Sequence, residues 1–353
     1  MLSKRGAIFF GEKADCKFFE IICIFFLEMF ANSFLICYTV FVMILHDKSL
    51  RSIAQRKIKM KTFQVLTDST SDLVKTERDS LGIDYVSMSF LICDKEYEAS
   101  LDWTELSASD YYGLMRKGNR AITSMITEEK FREKAKQYLD EGLDVLYISC
   151  SGKLSGSIGC GERVAKELAK AYPDRKILCL DSLRSLHGEG AIAMKAAEMA
   201  NAGASVEEAH RLLSAERLKY QTYATVETLD WLRKAGRVKA GAAFFGEIMQ
   251  VKPIIVGDAQ GDNFAFKKVR GRKVSLRELA SLVVERLEKP EEETLYIEHA
   301  DAEEDAKYLA KLVSEQIDVK EIKISSIGPI VGATVGPGAI AVNFYGKEVE
   351  INK

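Results

Sequence analysis

The stretch DVLYISCSGKLSGSIGCGERV, residues 144–164, decides the fold of this chain. Four consecutive apolar residues at 145–148 predict a short buried strand, and a helix is predicted from Ser157 onward. Between them lies a turn of serines and glycines. A strand that ends in such a turn and then opens a helix directs backbone N–H groups and hydroxyls at one point, which favours a bound phosphate or carboxylate. We therefore expect an α/β fold whose function centres on holding an acidic group.

The composition limits the classes of function. The chain has 353 residues, 47% of them hydrophobic, which is enough for two domains and a large core. The net charge of −2 gives no indication of nucleic-acid binding. The seven cysteines form no CxxC pair, and none of the four histidines has ligand spacing. We therefore expect no disulfide framework, no metal site and a reducing cytoplasm.

The first sixty residues differ from the rest of the chain. Residues 29–45 are an uncharged run of 17, about 25 Å long as a helix, at the lower limit for a membrane span. The basic residues that follow would place the body in the cytoplasm. Three interpretations stay open: residues 1–59 are an over-extended gene start that is never translated, residues 21–45 are a single-span anchor, or they form a peripheral helix. The body, from MKTFQVLTDSTSDL onward, does not need the extension in order to fold.

The body has two patterns in succession. Up to about residue 215, buried strands alternate with amphipathic helices, which indicates a parallel sheet with helices on both faces. Ser71 or Asp72 is predicted to cap the first of these helices, which runs through Arg78. From about 216 the strands and helices follow a different order, which predicts a second α+β domain with a mixed sheet. We therefore predict domains at 61–215 and 216–350.

Predicted strands in the first domain are 63–66, 83–90, 145–148 and 176–180, and predicted helices are 107–116, 128–141, 157–171, 188–201 and 206–218. Predicted strands in the second domain are 221–226, 251–256, 264–270, 295–299, 321–324 and 339–344, and predicted helices are 229–234, 276–287 and 302–316.

Five stretches together resemble the DegV family, also described as the fatty-acid-binding component of bacterial fatty acid kinase. They are VLTDSTSDL at 65–73, ITSMIT at 122–127, KLSGSIGCGERVA at 153–165, TLDWLRKAGRVKAGAAFFGEIMQVKPII at 228–255 and IGPIVGATVGPGAIAVNF at 327–344. The resemblance covers essentially all of 61–350 and nothing before it. It implies the two-domain DegV-like (EDD) fold, with a Rossmann-like first domain and a lipid tunnel between the two domains.

The resemblance also implies roles for single residues. Thr123 and Ser155 are similar to the two hydroxyl residues that bind the carboxylate of a fatty acid, and Ser124 is the neighbouring hydroxyl. Thr334 stands where the family often has a histidine; its hydroxyl can donate a hydrogen bond but cannot carry a proton charge. Arg270 resembles the arginine used when an ATP-dependent kinase subunit docks and phosphate is transferred. The implied ligand is a long-chain fatty acid, with no other cofactor, no catalytic residue and no metal.

Several residues have a second interpretation from the sequence. In the alternative interpretation, Ser155 stabilises only the turn and the start of the helix and binds no ligand. Asp68 and Ser69, instead of capping, can bind a cation or act in catalysis. Arg237 is expected to be a structural ion-pair or carbonyl partner. Three further groups are left open between a structural and a functional role: the glycines Gly328, Gly332, Gly336 and Gly338, the basic residues Arg270, Arg272 and Lys273, and the apolar residues Phe244, Phe245, Ile248 and Met249.

Three functions follow from these residues. The first is a monomeric cytoplasmic lipid-binding carrier that presents a fatty-acid carboxylate to a partner kinase for acyl-phosphate formation and has no turnover of its own. The second is a kinase or phosphatase acting on a small acidic or phosphorylated metabolite, although the sequence has no GxxxxGK[ST] loop. The third is a membrane-tethered interaction protein that uses residues 21–45. The resemblance favours the first.

Overall fold

The computed structural model describes residues 61–239 and 251–350. The N-terminal extension, with the segment 21–45, lies outside the described residues, and so do Phe244, Phe245, Ile248 and Met249. Within the described ranges, no helix has both the length and the apolar character that a membrane span requires.

The described residues form the following elements in chain order. The strands are β1 (Phe63–Asp68), β2 (Asp84–Val86), β3 (Met88–Ile92), β4 (Lys95–Ala99), β5 (Ile122–Ser124), β6 (Asp144–Ser149), β7 (Ile177–Asp181), β8 (Tyr220–Thr225), β9 (Val238–Lys239), β10 (Val251–Gly257), β11 (Asn263–Arg270), β12 (Thr294–His299), β13 (Glu321–Ser326) and β14 (Ile340–Tyr345). The α-helices are α1 (Lys75–Leu81), α2 (Ala108–Arg116), α3 (Glu128–Asp140), α4 (Ser157–Ala171), α5 (His187–Ala202), α6 (Val206–Glu216), α7 (Asp230–Ala235), α8 (Arg272–Arg286), α9 (Glu303–Ser314) and α10 (Pro329–Val335). Two 3₁₀ turns occupy Arg217–Lys219 and Pro290–Glu292.

The first half of the body is built on the predicted parallel sheet. Its strand order is β2-β1-β6-β7, and every pairing is parallel. Because β1 and β6 are neighbours, the turns that follow Asp68 and Ser149 meet at the carboxyl edge of the sheet, where open α/β sheets bind their ligands. The helix predicted from Ser157 begins there. The motif of residues 144–164 therefore lies where the sequence predicted it.

A small antiparallel sheet, β4-β3-β5, adjoins this edge. The strand predicted over 83–90 is wrong in one respect: it is two strands, of which β2 joins the parallel sheet and β3 joins the small one. The alternating apolar pattern continues through the break, which explains why it read as one strand. The third strand, β5, carries Thr123 and Ser124 and pairs with β3.

The second half contains a seven-stranded mixed sheet in the order β13-β12-β14-β8-β10-β11-β9. It confirms the predicted mixed sheet of the second half. The helix predicted from Leu276 begins four residues earlier, at Arg272, after Gly271 in the left-handed region at φ 92°. Arg272 and Lys273 are therefore the first two residues of a helix.

Helix α5 packs between the two halves. It contacts β1 and β6 of the first half and β8 and β14 of the second. A Cβ on Gly188 would lie 2.6 Å from Thr222 Oγ1, and one on Gly190 would lie 2.5 Å from the carbonyl oxygen of Ser71. The helix therefore packs closely at both glycines.

The predicted cap of the first helix is wrong. Helix α1 begins at Lys75, and its N-cap position is Val74, whose side chain makes no capping hydrogen bond. Asp72 instead accepts a hydrogen bond from the N–H of Gly328, at 3.0 Å. Serine and aspartate before a helix usually indicate an N-cap. A local pattern cannot predict the actual partner of Asp72, because Gly328 is 256 residues away along the chain.

Candidate functional site

One cavity, of about 500 Å³, brings together residues that are far apart in the chain. Its volume lies within the range of small-molecule sites. Four residues singled out from the sequence line it: Thr123, Ser124, Ser155 and Thr334. The structure thus places these hydroxyl groups around one space, while their role in binding a carboxylate stays a prediction.

The hydroxyls of Thr123 and Ser124 lie at the end of β5. The strand fixes them because Thr123 pairs with Phe90, and Ser124 with Ser89, across the antiparallel ladder. Thr127 caps α3 by accepting a hydrogen bond from Lys130 N at 3.2 Å. Within the described ranges neither the Thr123 nor the Ser124 hydroxyl has a hydrogen-bond partner of its own. Both can therefore donate to a ligand.

Ser155 is half-buried in the turn before α4. Its Oγ accepts a hydrogen bond from Ser157 N at 3.2 Å and lies 2.8 Å from Ser157 Oγ. The turn chemistry expected for Ser155 is therefore present. The Ser155 hydroxyl can still donate a hydrogen bond. If the Ser157 hydroxyl is the donor between the two serines, the Ser155 proton is free to bind a ligand.

The two hydroxyl-bearing turns are in direct contact. A Cβ on Gly156 would lie 2.7 Å from Met125 Sδ, so the turn before α4 packs against the residue that follows β5. Met125 and Gly156 both line the cavity. Glycine at 156 thus permits the approach that brings Ser155 towards Thr123 and Ser124.

The second half of the body also lines the cavity, through Ile330, Val331 and Thr334 of α10. Met88 and Leu154 of the first half add further apolar surface. These residues therefore give the cavity an apolar part, with one additional hydroxyl.

Two cations line the same cavity, Lys153 and Arg237. Arg237 donates to the carbonyl oxygen of Ala235 at 2.8 Å, which agrees with the carbonyl contact expected for it. The sequence alone did not indicate that Arg237 lines a site. The sequence feature that could have indicated a site role for Arg237 is its position directly after Gly236. This glycine ends α7 with a φ of 68°, where the chain turns. Its remaining guanidinium N–H groups are available to an anion.

Arg270 does not belong to the residues that line the cavity. It is exposed at the end of β11, opposite Val251 of β10. Arg272 is engaged within the protein, because it donates to Asp305 at 2.8 Å and to the carbonyl oxygen of Gly338 at 2.6 Å.

A pair of buried carboxyls lies behind the cavity. The Thr70 hydroxyl, on the cavity wall, is 2.7 Å from Asp68 Oδ1 and 2.6 Å from Glu189 Oε2. Burial raises the pKa of Asp68 and raises the pKa of Glu189 well above its usual range. One hydroxyl proton cannot serve two carboxylates, so the second contact requires a protonated carboxyl. No local sequence pattern relates these two carboxyls, because Glu189 is about 120 residues from Asp68 along the chain.

Asp68 also binds backbone N–H groups of two turns. It accepts hydrogen bonds from Thr70 N at 2.9 Å and from Cys150 N at 3.2 Å. The part of the chain that the structure describes contains no cluster of His, Cys, Asp and Glu fit for a metal ion. The cation-binding interpretation of Asp68 therefore has no ligand set among these residues.

The four glycines between 328 and 338 have structural roles and do not line the cavity. Gly336 and Gly338 have φ of 74° and 81°, which a residue with a Cβ rarely adopts. Close packing constrains Gly328 and Gly332 instead, the first against Asp72 and the second against the Tyr112 hydroxyl. This supports the structural interpretation of these four residues.

Comparisons with known proteins give a consistent result. The DegV family model matches residues 62–347. A DegV domain-containing protein of Clostridium perfringens is 34% identical over 291 residues, which are 82% of this chain and 100% of the relative.

Among solved structures, the fatty-acid-binding DegV family protein of Thermus thermophilus is 26% identical with a TM-score of 0.73, covering 81% of this chain and 99% of that one. DegV of Bacillus subtilis, a fatty-acid-binding protein, is 25% identical with a TM-score of 0.70, covering 81% of this chain and 100% of that one. The family match, the identity over the whole body and the shared fold lead to one conclusion: the chain belongs to the DegV family.

Proposed function

We propose that this protein is a lipid-binding carrier that holds a long-chain fatty acid in the cavity lined by Thr123, Ser124, Ser155 and Thr334. The observation that carries the proposal is the convergence of these four hydroxyls on one cavity in a DegV family chain. The fatty-acid binding of the Thermus thermophilus and Bacillus subtilis relatives supports it.

The chemistry of the lining suits a carboxylate better than a neutral ligand. A buried carboxylate needs hydrogen-bond donors, since an unpaired charge costs several kcal/mol. The hydroxyls of Thr123 and Ser155 supply donors, and Arg237 and Lys153 add positive charge at the same cavity. The acyl chain contributes about 0.8 kcal/mol for each methylene that it buries. Affinity therefore comes mainly from the chain, and orientation from the head group.

The ligand itself can be identified directly. We expect protein purified from a bacterial host, denatured and analysed by mass spectrometry, to release a long-chain fatty acid in near-stoichiometric amount. Protein that is consistently ligand-free and has no affinity for oleate or palmitate would contradict the proposal.

We further propose that the bound carboxylate is presented to an ATP-dependent kinase subunit, and that this protein has no turnover of its own. In that reaction a carboxylate oxygen attacks the γ-phosphorus of ATP and ADP leaves. Support comes from Arg270, which is exposed outside the cavity and free to contact a partner. We also expect the body to act in the cytoplasm as a monomer.

The kinase proposal has its own test. With a fatty acid kinase subunit, ATP and oleate, Arg270→Ala should slow ADP release at least about tenfold without changing oleate affinity. Arg277→Ala, an exposed arginine of α8, is the matched control and should behave like the wild type. Equal rates for both variants would exclude a role for Arg270, and ATP turnover by the isolated protein would favour an enzyme instead.

A further inference from the structure

A chain of buried hydrogen-bonding groups runs behind the cavity, from Glu189 in α5 to Asp68 at the end of β1. Both carboxyls are 0% exposed, and Thr70, which lies between them, is 2% exposed. The Thr70 hydroxyl is 2.6 Å from Glu189 Oε2 and 2.7 Å from Asp68 Oδ1. Among the described residues, none of the hydrogen bonds to this pair comes from a lysine or an arginine. Hydroxyl and backbone N–H groups therefore stabilise its negative charge.

The two contacts of Thr70 require a proton on one of the carboxyls. Thr70 has a single hydroxyl proton, which it can donate to only one of them. Both contacts have the length of a hydrogen bond between oxygens, so the proton of the second contact comes from a carboxyl. Either Glu189 or Asp68 is therefore a neutral acid.

The donors around Asp68 identify it as the ionised partner. Its Oδ1 accepts from Thr70 N at 2.9 Å, and its Oδ2 accepts from Cys150 N at 3.2 Å and from the Tyr147 hydroxyl at 3.0 Å. Burial raises the pKa of Tyr147 well above its usual range, so this hydroxyl keeps its proton and donates it. Each oxygen of Asp68 thus accepts from a backbone N–H, which favours the charged form of this carboxyl.

Glu189 accepts from fewer groups and is the better acid to keep a proton. Its Oε1 accepts from Thr67 Oγ1 at 2.7 Å, and its Oε2 meets the Thr70 hydroxyl. Burial raises the pKa of Glu189 well above its usual range, and the neighbouring charge of Asp68 acts in the same direction. Burial also raises the pKa of Asp68, but the hydrogen bonds that it accepts oppose this rise.

The hydrogen bonds of Asp68 reach the turns that line the cavity. Thr70 and Cys150 are both lining residues. Asp68 joins the turn after β1 to the turn after β6, because it accepts a backbone N–H from each. The second turn continues to Ser155, whose N–H donates to Ser151 O at 3.0 Å. The placement of the Ser155 hydroxyl therefore depends on the carboxylate of Asp68.

We propose that Glu189 is a neutral acid that donates to Thr70, and that Thr70 donates to an ionised Asp68, so that these side chains hold the Ser155 turn ready for a carboxylate. This inference rests on the proposed function. A neutral Glu189 leaves one buried negative charge behind the cavity instead of two, which reduces the repulsion that a bound carboxylate meets. The Thr70 proton is used by Asp68, so Thr70 does not donate to the ligand. All three are positioning residues.

Replacing each carboxyl by its amide distinguishes the neutral partner from the ionised one. Glu189→Gln keeps a donor for Thr70 and an acceptor for Thr67, so oleate affinity should stay within about twofold of the wild type. Asp68→Asn turns its NH₂ group towards Thr70 N or Cys150 N in either orientation, so oleate affinity should fall at least about tenfold. Equal effects of the two amides, or the reverse order, would overturn the assignment.

Controls separate a positioning role from a general loss of structure. Methyl oleate has no charge to place, so Asp68→Asn should weaken its binding much less than that of oleate. An equal loss for both lipids would overturn the positioning role. Glu198→Gln in α5 and Asp79→Asn in α1 change exposed, ion-paired carboxylates and should bind both lipids as the wild type does.

The place of the proton can also be measured without a ligand. A protonated carboxyl gives an infrared C=O stretching band at higher frequency than carboxylates and amides. At pH 7 the difference spectrum between the wild type and Glu189→Gln should contain this band, and its absence would overturn the assignment. If oleate does not bind the wild type, the proposed function fails, while the infrared result still decides the state of Glu189. The same measurement decides it if Asp68→Asn does not fold.

Discussion

Ser155 differs from the other hydroxyl residues of the cavity because its oxygen already takes part in a turn. Its Oγ accepts from Ser157 N and contacts Ser157 Oγ, whereas the Thr123 hydroxyl has no partner within the described ranges. The turn fixes the direction of Ser155 before any ligand arrives. A carboxylate that bound both residues would therefore meet one oriented hydroxyl and one that is free to rotate.

At this scale we expect the double variant Thr123→Ala, Ser155→Ala to weaken oleate binding. Hydrogen bonds to a charged group are worth about 1.5–3 kcal/mol each, so the loss should be a few kcal/mol. Isothermal titration calorimetry measures it, with circular dichroism to confirm that the fold is kept.

Two controls make this result specific to the head group. Methyl oleate carries no charge, so its affinity should change much less in the double variant. Ser281→Ala removes an exposed hydroxyl of α8 that bonds only to Arg277 O. Unchanged oleate affinity in the double variant would show that the carboxylate lies elsewhere.

The residues of the site differ in how far the sequence could predict them. Thr123 and Ser155 were identified by resemblance, since no local pattern relates two hydroxyls 32 residues apart. Arg237 and Glu189 were missed as neighbours of the cavity. Both residues come near the cavity only because distant parts of the chain meet there. Sequence periodicity and spacing could not predict this, because they indicate only local structure.

At the scale of elements, the strand–turn–helix of 144–164 was predictable because each part has a local cause. The apolar run forms β6, and the serine and glycine turn opens α4. The strand β5 was not predicted, because its three residues have no pattern of their own. It forms through pairing with β3, which supplies the backbone hydrogen bonds.

Helix α5 gives a prediction about packing. Gly190→Ala would place a Cβ 2.5 Å from the backbone oxygen of Ser71, which a side-chain rotation cannot relieve. We expect a loss of about 1–3 kcal/mol in the free energy of unfolding, measured by urea denaturation. Gly113→Ala in α2 is the matched control, since its Cβ would meet nothing within 4 Å, and it should not destabilise. Equal stability of both variants would show that α5 can shift.

At the scale of the whole molecule, buried acids make stability depend on pH. The pKa of Asp72 rises from 3.8 to about 7 on folding, because of burial. Its contribution to stability is therefore complete below pH 3.8 and is lost as the pH rises to about 7. His187 acts in the opposite sense. Its pKa falls from 6.5 to about 3, so its contribution is present above pH 6.5 and is lost as the pH falls towards 3.

Asp72→Asn isolates the first effect. Its thermal midpoint should be close to that of the wild type at pH 4 and should exceed it at pH 8, with a difference that grows between these limits. Differential scanning calorimetry at several pH values measures this. A difference that is constant with pH would mean that Asp72 does not change its protonation on folding.

The position of α5 also affects how the protein can be divided. Its first turn packs against Ser71 on one side and Thr222 on the other, so one helix completes the interior of both sheets. A fragment cut after residue 215 would keep this helix and expose the surface that covers β8. The remaining fragment would lack the helix altogether. Neither piece would be a self-sufficient folding unit, and we expect the described body to melt in one cooperative step although its strands form three sheets.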